Sequence, residues 1–145
     1  MRRVALILSL VLASGRVRAD TTGSPLDERT RSLLAAFLRE SWGGTSEYER
    51  GAFLVERSAG EPKLEAWDSK LFHQAHFAGV PPSGLIAVVH THPRRFPRPS
   101  PQDARECVRV GLPFFVVSRE AVWAVDPHDG RTVPLVESAA WWREP

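Results

Sequence analysis

Leu85-Ile86-Ala87-Val88-Val89-His90-Thr91-His92-Pro93 opens on an apolar run and closes on two imidazoles and a proline. A run this short and this apolar reads as a strand covered on both faces, which demands other elements above and below it. Pro93 has no N–H to give a ladder, so the strand stops just after His92. Side chains alternate along a strand, and His90 and His92 therefore point the same way with Cβ atoms about 7 Å apart. Ring nitrogens at that spacing can converge on one ion at about 2.0–2.1 Å.

Downstream, Arg94-Arg95-Phe96-Pro97-Arg98-Pro99 carries the chain to Ser100-Pro101-Gln102-Asp103. Serine as cap, proline in the first helical position and an acid in the third make a helix start. Asp103 in that first turn can face back toward the strand end, and the positive end of the helix favours its ionised form. The same tetrad form recurs at Ser24-Pro25-Leu26-Asp27 with no histidine nearby, so by itself it marks only a helix start. What carries chemistry is the conjunction of His90, His92, Ser100 and Asp103 directly after a buried-strand pattern. Two imidazoles and one carboxylate leave a tetrahedral zinc an open position for water, the arrangement of a catalytic rather than a structural site.

Working outward, Leu26, Thr30, Leu33, Leu34, Phe37, Leu38 and Ser41 fall on one face at helical spacing, with Ser24 as cap. Trp42-Gly43-Gly44-Thr45 ends that helix. Gly51–Val55 and Leu64–Trp67 read as strands of a hairpin turning through Ser58–Pro62, and residues Asp68–Ala78 read as a short helix or an irregular crossing. After the metal-binding stretch, a helix is expected over Asp103–Leu112, with Ala104, Cys107, Val108 and Gly111 on or near its inner side. Phe114–Val117 and Ala121–Val125 follow as a strand pair, and the turn Asp126–Gly130 leads to a last strand near Thr132–Val136. Helix, hairpin, buried strand, helix and meander make one α/β, sandwich-like domain.

Residues 1–19 read as an export signal: Arg2 and Arg3, the apolar stretch Val4–Ala13, then Val17-Arg18-Ala19 with small residues where signal peptidase needs them. The apolar stretch falls short of the ~20 residues of a spanning helix, so cleavage after Ala19 is expected rather than stable membrane anchoring. Residues 20–145 then form a single exported domain, periplasmic or extracellular. The whole chain has 19 basic and 17 acidic residues; without the four arginines of residues 1–19 the balance is 15 − 17 = −2. A nucleic-acid or anionic-membrane partner loses its compositional support. The lone Cys107 rules out an internal disulfide.

Between His90-Thr91-His92 and Ser100-Pro101-Gln102-Asp103 stand the seven residues Pro93–Pro99. This run resembles the JAMM (MPN+) motif of zinc-dependent metallopeptidases and deubiquitinases: His-Ser/Thr-His, seven residues, Ser, two residues, Asp, preceded by a glutamate. The resemblance implies an α-β-α sandwich around a mixed, curved sheet, similar to cytidine deaminases. It also implies one Zn2+ per chain held by His90, His92 and Asp103, with Ser100 helping to hold the tetrahedral intermediate. For the upstream glutamate, bacterial members carry Glu-x-Gly-Gly-Phe-Leu, and Glu49-Arg50-Gly51-Ala52-Phe53-Leu54 is similar with Ala52 at the second glycine. Glu49 is thus the expected general base and Glu47, two residues earlier, the reserve. The activity implied is hydrolysis of a peptide or isopeptide bond in a peptide or protein substrate. Its alternatives are a non-catalytic binding domain of the cell envelope on the same scaffold, or a cytoplasmic protease trimming a ubiquitin-like or sulfur-carrier tail.

Other chemistry-bearing residues have plainer readings. His73 and His76 lack the glutamate of a zincin helix and read as ordinary histidines. His128 belongs to a solvated turn. Cys107, one helical turn after Asp103, reads as a buried inert thiol. Arg94, Arg95 and Arg98, with Phe96, border the expected cleft, where a grip on an acidic substrate and a merely solvated loop both stand open. Trp141-Trp142 reads as a cover over the core, or else as a partner surface.

Overall fold

A computed structural model describes residues 7–9, 26–45, 47–56, 60–72 and 75–143. In chain order it contains β1 (Ile7–Ser9), α1 (Glu28–Glu40), a 3-10 turn (Trp42–Gly44), β2 (Tyr48–Glu56), β3 (Pro62–Phe72) and β4 (His76–Ala78). Then come β5 (Leu85–Thr91), α2 (Pro101–Val110), β6 (Phe114–Val117), β7 (Ala121–Val125) and β8 (Thr132–Glu137). Six strands form one mixed sheet in the order β3-β2-β5-β6-β7-β8, and β1 and β4 form a separate parallel pair. The chain is therefore mixed α/β. Among the described residues no helix is long and apolar enough to cross a membrane.

Only β5 and β6 run parallel within the large sheet. A parallel neighbour needs a crossover, and α2 supplies it between them. Ligand sites in such arrangements gather beyond the carboxyl ends of the strands, which is where His92 and the first turn of α2 stand.

The sheet is covered on both sides. One core joins Phe53, Val55, Val88, Phe114, Val116 and Val125 to Cys107 and Val110 of α2. The other joins Ala52, Leu54, Ala87, Val89 and Val122 to Leu34, Phe37 and Leu38 of α1. Neighbours in one strand divide between the two cores, as a period of two requires. The apolar run Leu85–Val89 is thus a strand covered on both faces, as its sequence predicts.

Several boundaries differ from the expectation, each for a local reason. Ser24 and Pro25 lie outside the described residues, and α1 is capped by Asp27, whose Oδ1 accepts from the Thr30 N–H at 2.9 Å and Oδ2 from the Thr30 hydroxyl at 2.6 Å. A carboxylate that satisfies a backbone donor and a hydroxyl together is a strong cap. In the stretch after Trp67, read as a short helix or an irregular crossing, the described residues are mostly strand. β3 continues to Phe72 in register with Tyr48, and His76–Ala78 makes β4. β3 is an edge strand, where backbone pairing can run on without an apolar pattern to announce it.

On α2, Val110 rather than Val108 faces inward. Asp103, Cys107 and Val110 form the buried stripe, while Val108, a further 100° around from Cys107, is 43 % exposed. Gly111 is exposed and adopts φ 72° as the left-handed cap that ends the helix.

The C-terminal segment closes the α1 side. Trp141 is buried and its indole N–H donates to the Ser118 carbonyl at 2.9 Å, with Trp142 partly buried beside it. The outer strand β8 carries Pro134 opposite Trp123, next to a bulge in the β7 pairing. Of the stretch read as an export signal, Ile7–Ser9 pairs with β4, and the remainder, including Ala19, lies outside the described residues.

Candidate metal centre

β2 and β5 are antiparallel neighbours, with Gly51 opposite His90. One step further along, Arg50 directs its backbone N–H to the Thr91 hydroxyl at 3.0 Å. Continuing that register sets Glu49 across from His92, and side chains directly opposed in a sheet share a face. Gly51 has a second role. A Cβ there would overlap the Trp67 indole, itself packed against Phe53 at 4.4 Å and Phe77 at 5.2 Å between ring centroids.

Helix α2 contributes Asp103 through a reciprocal cap. The Ser100 hydroxyl accepts from the Asp103 N–H at 3.2 Å, and Asp103 Oδ2 accepts from the Ser100 N–H at 2.6 Å. This capping box fixes the carboxylate while its other oxygen turns toward the strand.

Glu49, His90, His92 and Asp103 are all buried. His90 Nε2 and His92 Nε2 are 3.1 Å apart, Asp103 Oδ1 is 3.2 Å from His90 Nε2, and Asp103 Oδ2 is 3.3 Å from His92 Nε2. Glu49 Oε1 is 4.0 Å from His92 Nε2. These separations can be compared with a known shell. Four donors set ~2.0 Å from a central ion in a tetrahedron stand about 3.3 Å from one another. Glu49, His90 and His92 together form a buried group that can hold a metal ion, with one donor atom from each lying within 4.8 Å of the others. Asp103 completes the cluster from the helix side.

The tautomer of His92 fits the same role. His92 Nδ1 donates to the Phe96 carbonyl at 2.9 Å, so in the neutral ring Nε2 carries the lone pair that faces the cluster. Burial lowers the His90 pKa, which keeps that ring neutral as a metal ligand must be. For His92, burial is outweighed by the hydrogen bond and charge of Asp103, and its pKa is raised. Asp103 is held well below the usual carboxylate range, the two imidazoles overcoming the opposing effect of burial. Glu49 is pushed up to about 8 by burial, with Asp103 adding to the rise and His92 opposing it. Asp103 Oδ1 is buried and makes no hydrogen bond among the described residues, an acceptor that a cation would satisfy. The Asp103 carboxylate, enclosed with two imidazoles, favours a positive ion among them.

The structure thus brings Glu49, His90, His92 and Asp103 together, with Ser100 as the cap beside them. Glu47 is partly exposed and outside the cluster. Cys107 faces the core, where its thiol donates to the carbonyls of Leu112 at 3.1 Å and Val125 at 3.2 Å. His128 is exposed in its turn, and His73 lies outside the described residues. Sequence reasoning did not single out the Thr91 hydroxyl or the Phe96 carbonyl as parts of the site. A hydroxyl residue between two histidines was the available signal for the first. The second is a backbone atom, which no side-chain pattern reports.

Comparison of the chain with protein-family models, with curated proteins and with solved structures gives no match. The functional reading therefore rests on the residues themselves.

Proposed function

We propose that this protein is an exported, zinc-dependent metallopeptidase of the JAMM type, hydrolysing a peptide or isopeptide bond. The observation that carries this reading is the spacing of 3.1, 3.2 and 3.3 Å among His90, His92 and Asp103, with Glu49 beside them from a separate strand. Two imidazole nitrogens and a carboxylate that sets one oxygen near each ring are donors that suit zinc. A sheet with one helix on each face agrees with the fold that the motif implies.

In this reading His90, His92 and Asp103 hold the ion. When bound, zinc supplies a Lewis acid and brings the pKa of a water ligand to about 7. Glu49 accepts a proton from the attacking water and returns it to the departing amine. The Phe96 carbonyl keeps the His92 ring in its ligating tautomer. Ser100, partly exposed, accepts from α2 through its oxygen and can donate its hydroxyl hydrogen to the oxyanion that develops in the substrate.

Metal analysis of the purified protein, paired with turnover of a peptide library, tests the proposal. One zinc per chain is expected, and Glu49→Gln should keep the metal while losing activity by about 10²- to 10⁴-fold. Stoichiometric zinc without turnover on any peptide or isopeptide would point to a binding domain instead. N-terminal sequencing of the protein from its host checks the export reading, which requires Asp20 as the first residue.

A further inference from the structure

The loop that follows His92 carries three arginines, and only one is engaged. Arg98 lies over the Trp123 ring at 5.5 Å from its centroid. Arg94 and Arg95 are exposed and make no ion pair or hydrogen bond with any of the described residues. Two other exposed arginines pair with acids, Arg29 with Glu61 at 3.0 Å and Arg109 with Glu106 at 2.7 Å, whereas Arg105 and Arg131, like Arg94 and Arg95, pair with none of the described acids. Residues 20–145 hold 15 basic and 17 acidic side chains, so this basic pair runs against the balance of the domain.

The placement of the pair is fixed by the metal centre itself. The Phe96 N–H donates to the Pro93 carbonyl at 2.9 Å, making Arg94 and Arg95 the central residues of a tight turn. The carbonyl that follows that turn holds His92 Nδ1 at 2.9 Å. Pro93, Pro97 and Pro99 stiffen the loop on either side. Arg94 begins two residues after His92, a contour of about 7–8 Å. An extended peptide advances about 3.3 Å per residue, so these guanidinium groups lie within reach of side chains flanking a bond held at the cluster.

We infer that Arg94 and Arg95 select substrates carrying acidic side chains beside the bond to be cut, the occupant being an acidic peptide segment. This rests on the peptidase reading of the centre and names its substrate class. Guanidinium forks bind carboxylates in pairs of parallel hydrogen bonds, and a turn already tied down loses little freedom in doing so. Phe96, 52 % exposed in the same turn, offers apolar surface to the residue between the acids.

The test uses three fluorescent peptides of equal length whose flanking residues are glutamate, glutamine or lysine. Binding is read by anisotropy on the full zinc-loaded chain carrying Glu49→Gln, so that nothing is cleaved. The glutamate peptide should bind about ten-fold more tightly than the glutamine peptide, the sum of two exposed charge contacts. Adding Arg94→Glu and Arg95→Glu should invert the order of the glutamate and lysine peptides, with an unchanged melting temperature showing that the fold persists. Equal binding of all three peptides, or of none, overturns the inference. So does an oligonucleotide of matching charge competing as well as the glutamate peptide, because that would show undirected attraction. If the glutamate peptide binds best yet zinc-loaded wild type does not cut it, the substrate preference stands and the peptidase reading falls.

Discussion

The Arg50 N–H donates to the Thr91 hydroxyl at 3.0 Å, so the residue between the two histidines decides where Glu49 stands. The ladder between β2 and β5 ends at Gly51 and His90, and this side-chain bond takes over just where the cluster begins. Thr91→Val keeps the shape and removes the acceptor of this part-buried bond. Metal affinity or turnover should fall by about 10- to 100-fold, while Thr91→Ser stays near wild type. Zinc competition titrations alongside steady-state kinetics distinguish the two variants.

Gly51 is opposite His90 and leaves room for the Trp67 indole. Gly51→Ala forces that ring out of its packing against Phe53 and Phe77, at a cost of about 1–3 kcal/mol. Trp67→Ala in the same chain removes the clash, so the double variant should lose less than the sum of the single losses. Urea denaturation of all four proteins measures the coupling; simple additivity would show that Gly51 is not there for the ring.

Ser100 both caps α2 and adjoins Asp103, a candidate metal ligand. Ser100→Ala removes the oxygen that accepts from the Asp103 N–H but leaves the Ser100 N–H that holds Asp103 Oδ2. Stability should therefore drop by about 1 kcal/mol with zinc retained. If the hydroxyl also serves the oxyanion, turnover falls by about 10²-fold or more while substrate affinity changes little. A loss of zinc equal to the loss of activity would assign Ser100 to ligand positioning alone.

Cys107 supplies a pH test away from the candidate metal centre. Burial pushes its thiol up to about 12, from a usual value of 9.0. A folded pKa above the unfolded one gives stability that is complete below about 9 and is lost as pH climbs toward about 12. Between those limits wild type should lose more stability than Cys107→Ala, although the variant starts lower because it lacks the packed thiol. The difference between the two slopes in chemical denaturation isolates this group from other titrating residues.

Much of this architecture is written in short-range patterns. The run Leu85–Val89 carries the signal of a strand covered twice, and Ser100-Pro101-Gln102-Asp103 that of a helix start, so His90, His92 and Asp103 could be placed from spacing alone. Glu49 was legible only through a resemblance, since its partner His92 is 43 residues further along the chain and strand pairing at that distance leaves no local mark. The strand from Asp68 to Phe72 was missed for a related reason: an edge can be built from backbone pairing while its side chains follow no apolar rhythm. Asp27 displaced Ser24 as the cap because a carboxylate can serve the Thr30 N–H and hydroxyl at once, a distinction that needs both partners in view.

The outer border of the sheet at β8 has a bearing on how the protein behaves in a crowded compartment. A proline at position 134 offers no N–H, and the neighbouring bulge breaks the regular repeat of the strand. An incoming chain cannot extend an unbroken ladder across that rim, so stacking of copies into fibrils has no ready seed on that side. Replacing Pro134 with a β-branched residue would make this margin a template for self-association.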